Sequence, residues 1–256
     1  MSVFRNAVFV AALAGLVSGL VLAALQSFTT VPLILQAEKF EDAAPAQQAA
    51  AMPGMAGHDI QAPAGQAPAA GAPESEEGGW SPADGFERFA FNVMASAVSG
   101  IGFALLLVAV SEMLGGMAGW RQGLIWGFAG FAVFTLAPGL GLPPNMPGMP
   151  AAPVLDRQIW WIATAAATGI GLWLIVFRGT LVLSALGLGL IVAPHLFGAP
   201  LPPTFETGVP EALQHSFIVA VTLTNLVFWL VLGAMTGAVR TRFAGRPEDA
   251  PVGRFA

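Results

Sequence analysis

The sequence predicts an all-α polytopic membrane protein, with six transmembrane helices in three out-facing hairpins and both termini cytoplasmic. Three observations carry this. First, only 10% of the 256 residues are charged and 55% are hydrophobic. An average soluble domain carries about 25% charged residues, so this chain cannot cover a water-facing body. Second, six apolar stretches are long enough, or nearly so, to cross ~30 Å of hydrocarbon. Third, the basic residues alternate between the two sides as cytoplasmic loops require.

The first span is expected at residues 7–25, preceded by Arg5. Arg5 followed by an apolar run also suits a cleaved signal peptide, but the run exceeds the usual 7 to 15 apolar residues and no A-x-A site follows. The span is therefore read as retained. Residues 1–42 form this helix and its exit. Residues 43–79 are Ala, Pro, Gly and Gln with a few acids, a composition that cannot bury enough apolar area to fold, so a disordered outer loop is expected there. Residues 80–240 hold the other five spans, expected at 89–110, 124–137, 159–177, 181–194 and 217–239, and residues 241–256 form a cytoplasmic tail. The third and fifth spans are short and end in Ala-Pro steps, Ala137-Pro138 and Ala193-Pro194, where a helix is expected to break or kink.

With the N-terminus inside, seven Arg (5, 121, 178, 240, 242, 246 and 254) lie on the cytoplasmic side and Lys39, Arg88 and Arg157 outside. Twelve of the fifteen carboxylates lie outside, which would focus cations on that face. Gly15 and Gly19, Gly123 and Gly127, and Gly233 and Gly237 are each four apart, the spacing that lets helix backbones approach closely in lipid. Trp80, Trp120, Trp160, Trp161 and Trp229 are read as interfacial belts near span ends. The outer connections after the third and fifth spans both run Ala-Pro, then Pro-Pro, then a helix start with a polar pair. Such repetition would set equivalent Pro-rich turns around one outer vestibule.

The composition excludes several classes of function. With no Cys there is no disulfide, thiolate nucleophile or sulfur-rich metal centre, and a formal charge of −5 gives no footprint for nucleic acid. No hydrolase, zincin, phosphate-loop or dinucleotide motif is present, so the chain is not expected to be an enzyme, nor to hold a tightly bound cofactor.

Metal handling remains. Met52, Met55 and His58 cluster in the loop, a thioether and imidazole set that suits copper(I), whereas imidazole with carboxylates suits cobalt, nickel or zinc. His195 follows Pro194, where a proline-broken helix end leaves free carbonyls beside the imidazole, and His215 could face it across the hairpin or point to water. Met146 and Met149 bracket a tight turn and read first as interfacial packing, with Met149 kept as a candidate ligand. Glu38 and Glu41 sit just outside the first span, and if the helix continues Glu38 and Asp42 share a face. The spans themselves hold no ionisable residue near a midplane, where ion pathways usually place one.

Four motifs in order resemble the CbtA family of cobalt transporter subunits: Pro32-Leu33-Ile34-Leu35 through Glu41, Leu136-Ala137-Pro138 through Met149, Arg157-Gln158 with Trp160-Trp161, and Pro194-His195 with Gly198-Ala199-Pro200. The resemblance implies a bacterial inner-membrane cobalt-uptake subunit in the lipid bilayer. It also implies a small one-span, His-rich partner, CbtB. The family's Glu positions carry over onto Glu38 and Glu41 and its His onto His195. The family's Pro-Pro-Glu turn is here Pro-Pro-Asn145-Met146, which leans the site toward a softer metal such as copper. The alternatives to cobalt uptake are copper handling in the same topology, and a non-transporting membrane scaffold or assembly subunit.

Overall fold

The computed structural model describes residues 2–50, 82–83 and 85–243. The described residues form α1 (Ser2–Phe28), α2 (Thr30–Ala50), α3 (Phe86–Met113), α4 (Trp120–Phe131), a π-helical turn (Ala132–Leu136), α5 (Ala137–Gly141), α6 (Val154–Arg178), α7 (Leu181–Phe197) and α8 (Glu211–Phe243). Five helical segments are long and apolar enough to cross a membrane, and α7 is a shorter apolar helix of 17 residues.

Neither Ala-Pro step breaks its helix, which runs one turn further in each case. In the third span the π turn lies immediately ahead of Pro138, and the amide of Ala137 donates to the Ala132 carbonyl five residues back. A proline removes one N–H and crowds the preceding turn, and the wider π turn absorbs both effects. In the fifth span Pro194 lies inside α7, which ends only at Gly198, φ 85°, a conformation glycine adopts without steric cost. The exit of the first span is also helical. α2 carries Pro32 in its first turn, where no N–H is needed, and extends to Ala50, eight residues into the stretch expected to be unstructured.

The helices pack antiparallel through glycine. On α1, Gly15 and Gly19 lie against Gly100, Ile101 and Ser96 of α3. On α4, Gly123 and Gly127 meet Gly233 and the Trp229 carbonyl of α8, and Gly237 meets Gly119. A Cβ on Gly171 of α6 would lie 2.5 Å from the Gly187 carbonyl of α7. At each site the missing side chain lets one backbone rest on the carbonyls of another, where Cα–H···O contacts contribute about 0.5–1 kcal/mol apiece. The closest pairs are thus α1/α3, α4/α8 and α6/α7, with α1 also packed along α8. The third and fourth spans meet mainly through the π turn and α5, with Trp126 of α4 near Phe177 of α6 at 6.4 Å, and α7 packs on α6 and α5.

An aromatic core closes the centre. Trp229, 2% exposed, stacks on Phe134 of the π turn at 5.6 Å, meets Phe103 at 4.9 Å and donates its indole N–H to Thr135 Oγ1 at 3.1 Å. It is a core residue rather than the interfacial anchor its sequence position suggested; Trp120, 52% exposed, does stand at a helix start, and Trp80 lies outside the described residues. The alternation of directions puts Arg5, Arg121, Arg178, Arg240 and Arg242 at one end of the bundle and Lys39, Arg88 and Arg157 at the other. At the Arg-rich end, Arg121 and Arg178 lie over the Trp120 and Trp173 rings at 5.5 and 5.3 Å. There Arg240 pairs with Glu112 and donates to the Met117 carbonyl at 2.6 Å, tying α8 to the α3–α4 turn.

Gly123→Ala and Gly233→Ala are each expected to lower stability by about 1–3 kcal/mol, the usual cost of overpacking, read by thermal unfolding in detergent. Gly189→Ala, whose Cβ would enter open space, should stay within about 0.5 kcal/mol of the parent. At the basic end, Arg240→Met should destabilise more than Glu112→Gln, by about 1–2 kcal/mol after allowance for partial solvation. It removes the ion pair and also strands the Met117 carbonyl.

Candidate functional site

The end opposite the arginines carries the sequence-predicted site residues and is built from α2, the turn at residues 142–153, the loop at 198–210 and the first turns of α3, α6 and α8. The two Pro-rich connections meet there: the Thr207 hydroxyl donates to the Gly148 carbonyl at 3.0 Å. Within each, Asn145 Nδ2 donates to the Pro150 carbonyl at 3.3 Å and Gln214 Nε2 to the Val209 carbonyl at 2.8 Å. Gly148, φ 76°, makes the tight turn that Met146 and Met149 bracket.

α2 lies across this floor. Ala37, Met146, Val209 and Phe217 form a buried cluster, with Leu33, Ile34, Met149, Leu213 and Val221 packed against it. Met146 is therefore core, and Met149 is half-buried in the same apolar contact. Met146 thus supplies an apolar plug under α2. Glu41 continues the helix face of Ile34 and Ala37 and sits over Gly148.

Glu38 points to another neighbour. Arg88 Nη1 donates to its two oxygens at 3.0 and 3.3 Å, linking α2 to α3 at the end opposite the arginines. No local pattern links these two residues, because fifty positions separate them. His195 sits on α7 with its ring edge-on to Trp160 at 5.8 Å, and Trp160 in turn covers Gly141. A groove of about 590 Å³ runs beside this pair, lined by Asp156, Trp160, Ala163, Leu190, Pro194 and Phe197 among others. His215 is exposed on α8, off the Leu213–Phe217–Val221 face.

The structure therefore brings Glu41 and Met149 to one turn and keeps them apart from His195. α2 packs on α1 and α8, whereas α7 packs on α6 and α5. His195 and His215 are not placed across a shared hairpin. Among the described residues no group of three or more His, Cys, Asp or Glu could hold a metal ion. Met52, Met55 and His58 lie outside the described residues.

Helices packed backbone to backbone, an aromatic centre and charge confined to the two ends define a multi-pass helical membrane protein. Comparison with known proteins narrows this. A family model described as "Probable cobalt transporter subunit (CbtA)" matches residues 4–241, and the chain belongs to the CbtA family. No curated protein and no solved structure matches it.

A double-mutant cycle on Glu38→Gln and Arg88→Met should return a coupling of about 0.2–1 kcal/mol, the range for a partly solvated pair. Thermal unfolding of the four proteins measures it, and Glu41→Gln in the Arg88→Met background should show no comparable coupling.

Proposed function

We propose that the protein is the membrane subunit of a cobalt-uptake transporter of the bacterial inner membrane, with both termini cytoplasmic and no catalytic role. The observation that carries this is the family match across residues 4–241. The placement of five arginines at one end of the bundle and the carboxylates Glu38, Glu41, Asp156, Glu206 and Glu211 at the other supports the orientation. It sets the acidic end outward by the bias of cytoplasmic loops toward Lys and Arg.

In this reading residues 43–79, acidic and bearing Met52, Met55 and His58, raise the local cation concentration. Glu41 at the Pro-rich turn and His195 at the α6–α7 groove then take the ion at two points on the outer face. Glu38 holds α2 in position through Arg88 and yields a carboxylate when that pair opens. Two scattered points are fewer ligands than a transition metal requires. A one-span, His-rich subunit of the CbtB type completes the set, and the lipid-exposed flank of the bundle leaves room for it. Imidazole with carboxylate at Glu41 and His195 favours cobalt over copper, since both thioethers of the 146–149 turn are engaged in packing.

Cobalt accumulation by cells producing the protein, with and without such a partner, tests the reading. His195→Ala and Glu41→Ala should each lower uptake by about tenfold, in the range for loss of a group that tunes a metal site. Unchanged accumulation of every metal in a deletion strain would exclude transport and leave a scaffold or assembly role. A peptide covering residues 52–59, titrated with copper(I) and cobalt(II), tests the loop separately. Copper binding alone would move the assignment to copper.

A further inference from the structure

Hydroxyls in apolar helices usually return to their own backbone, and this protein follows that rule nearly throughout. Ser18 donates to Ala14, Ser27 to Ala23, Thr222 to Ile218 and Thr236 to Leu232, at 2.6 to 2.8 Å. Among the described residues two buried hydroxyls have no partner at all, both on α6. Thr164 and Thr168 are 0% and 3% exposed, and neither Oγ1 has a hydrogen-bond partner. One turn further out, the Trp160 indole nitrogen is buried and unpartnered as well. These three polar atoms are spaced four residues apart, so they form one line along α6. Gly171, three positions beyond Thr168, extends that line and rests on Gly187 of α7. The line therefore faces the α6–α7 seam.

The opposing helix is also short of hydrogen bonds at this depth. Pro194 has no N–H for the Leu190 carbonyl one turn back. The antiparallel register fixed by Gly171 with Gly187 and by Trp160 with His195 brings Leu190 to the level of Thr164 and Thr168. A buried hydroxyl without a partner costs about 1–3 kcal/mol, and irregular backbone at membrane depth persists where it is buried in protein or lines a water-filled cavity.

Resting on the transport reading above, we propose that Trp160 Nε1, Thr164 Oγ1 and Thr168 Oγ1 are the rungs of a polar ladder. Along it, water and a hydrated divalent cation pass from His195 into the bundle when α7 swings from α6. The rungs are neutral hydroxyl and N–H groups. They exchange hydrogen bonds with the ion's own water and need not strip it, which suits a span without carboxylates. α7 is the element free to move: it packs on α6 and α5, and it joins α6 through Gly179, φ 61°, and Thr180.

The absence of cysteine from the chain makes a direct test available. Thr164→Cys and Thr168→Cys, each then the sole thiol, are treated in membrane vesicles with a small membrane-impermeant thiosulfonate. Ala165→Cys, buried and off the line, and Ile162→Cys, 61% exposed, are the depth-matched controls. Because only a hydrated thiolate reacts, both ladder positions should label about tenfold faster than either control. Equal rates overturn the ladder, whatever the uptake result.

Thr164→Val and Thr168→Val supply a second readout. Loss of an unpartnered hydroxyl should leave the melting temperature unchanged or raised while cobalt uptake falls several-fold. Unchanged uptake in both, or a lowered melting temperature in both, also overturns the proposal. If the unsubstituted chain carries no cobalt, the transport reading fails and the labelling rates alone decide the ladder.

Discussion

The contact between a glycine on one helix and a backbone carbonyl on its neighbour is the constraint from which the rest of this molecule follows. In lipid no hydrophobic force draws helices together, so association depends on close packing. The chain meets that requirement with glycines on six of its helices, at Gly15, Gly100, Gly123, Gly171, Gly187 and Gly233 among them. With the backbones this close, little room remains between paired helices for large side chains. The aromatic rings gather where the pairs diverge, around Trp229 and the π turn. Polar groups are left the two ends, their own backbone carbonyls and the α6 face.

The prolines impose a second constraint, which shapes the outer end. Pro138 and Pro194 occupy equivalent places one turn before their helices stop, and the two are accommodated differently. The π turn widens α4 and delivers Phe134 and Thr135 to Trp229, whereas α7 carries Pro194 to its close at Gly198. One proline is thereby tied into the core. The other leaves a helix whose neighbours are α6 and the short α5, so the repeat in sequence becomes one anchored element and one loosely held element. The two Pro-rich connections still meet, through Thr207 and Gly148, and α2 covers their junction with an apolar stripe.

Much of this was legible in the sequence and some was not, for identifiable reasons. The spans, the glycine spacing and the segregated arginines follow from composition and period, which are local properties. Which glycine pair meets which is not local. Gly123 and Gly233 share a spacing with Gly15 and Gly19, and only the folded chain assigns α4 to α8 instead of to α6. Trp229 lies mid-helix and so could not serve as a belt residue, and its burial depends on a π turn a hundred residues away. The Arg88 partner of Glu38 and the contact of the Met149 turn with Ala37 and Val209 are also non-local, and only the fold brings them together. The α6 hydroxyls left a sequence signal, the 160/164/168 spacing. What distinguishes them, the missing bond to their own helix, appears only in three dimensions.

The ligand-poor interior and the packing have one cause. A carboxylate within a span needs a partner or water at several kcal/mol of desolvation, and helices held at glycine distance have little space for either. A bundle of this kind cannot also hold a rigid metal site between its tight pairs. Any ion path must run along the pair that can separate, and must offer groups neutral enough to be buried when it closes. The α6–α7 seam fits best: α7 has few neighbours besides α6, and the polar atoms sealed inside carry no charge. A thioether-and-imidazole or carboxylate site then belongs at the outer end or on a partner chain, where water or a second helix can satisfy it.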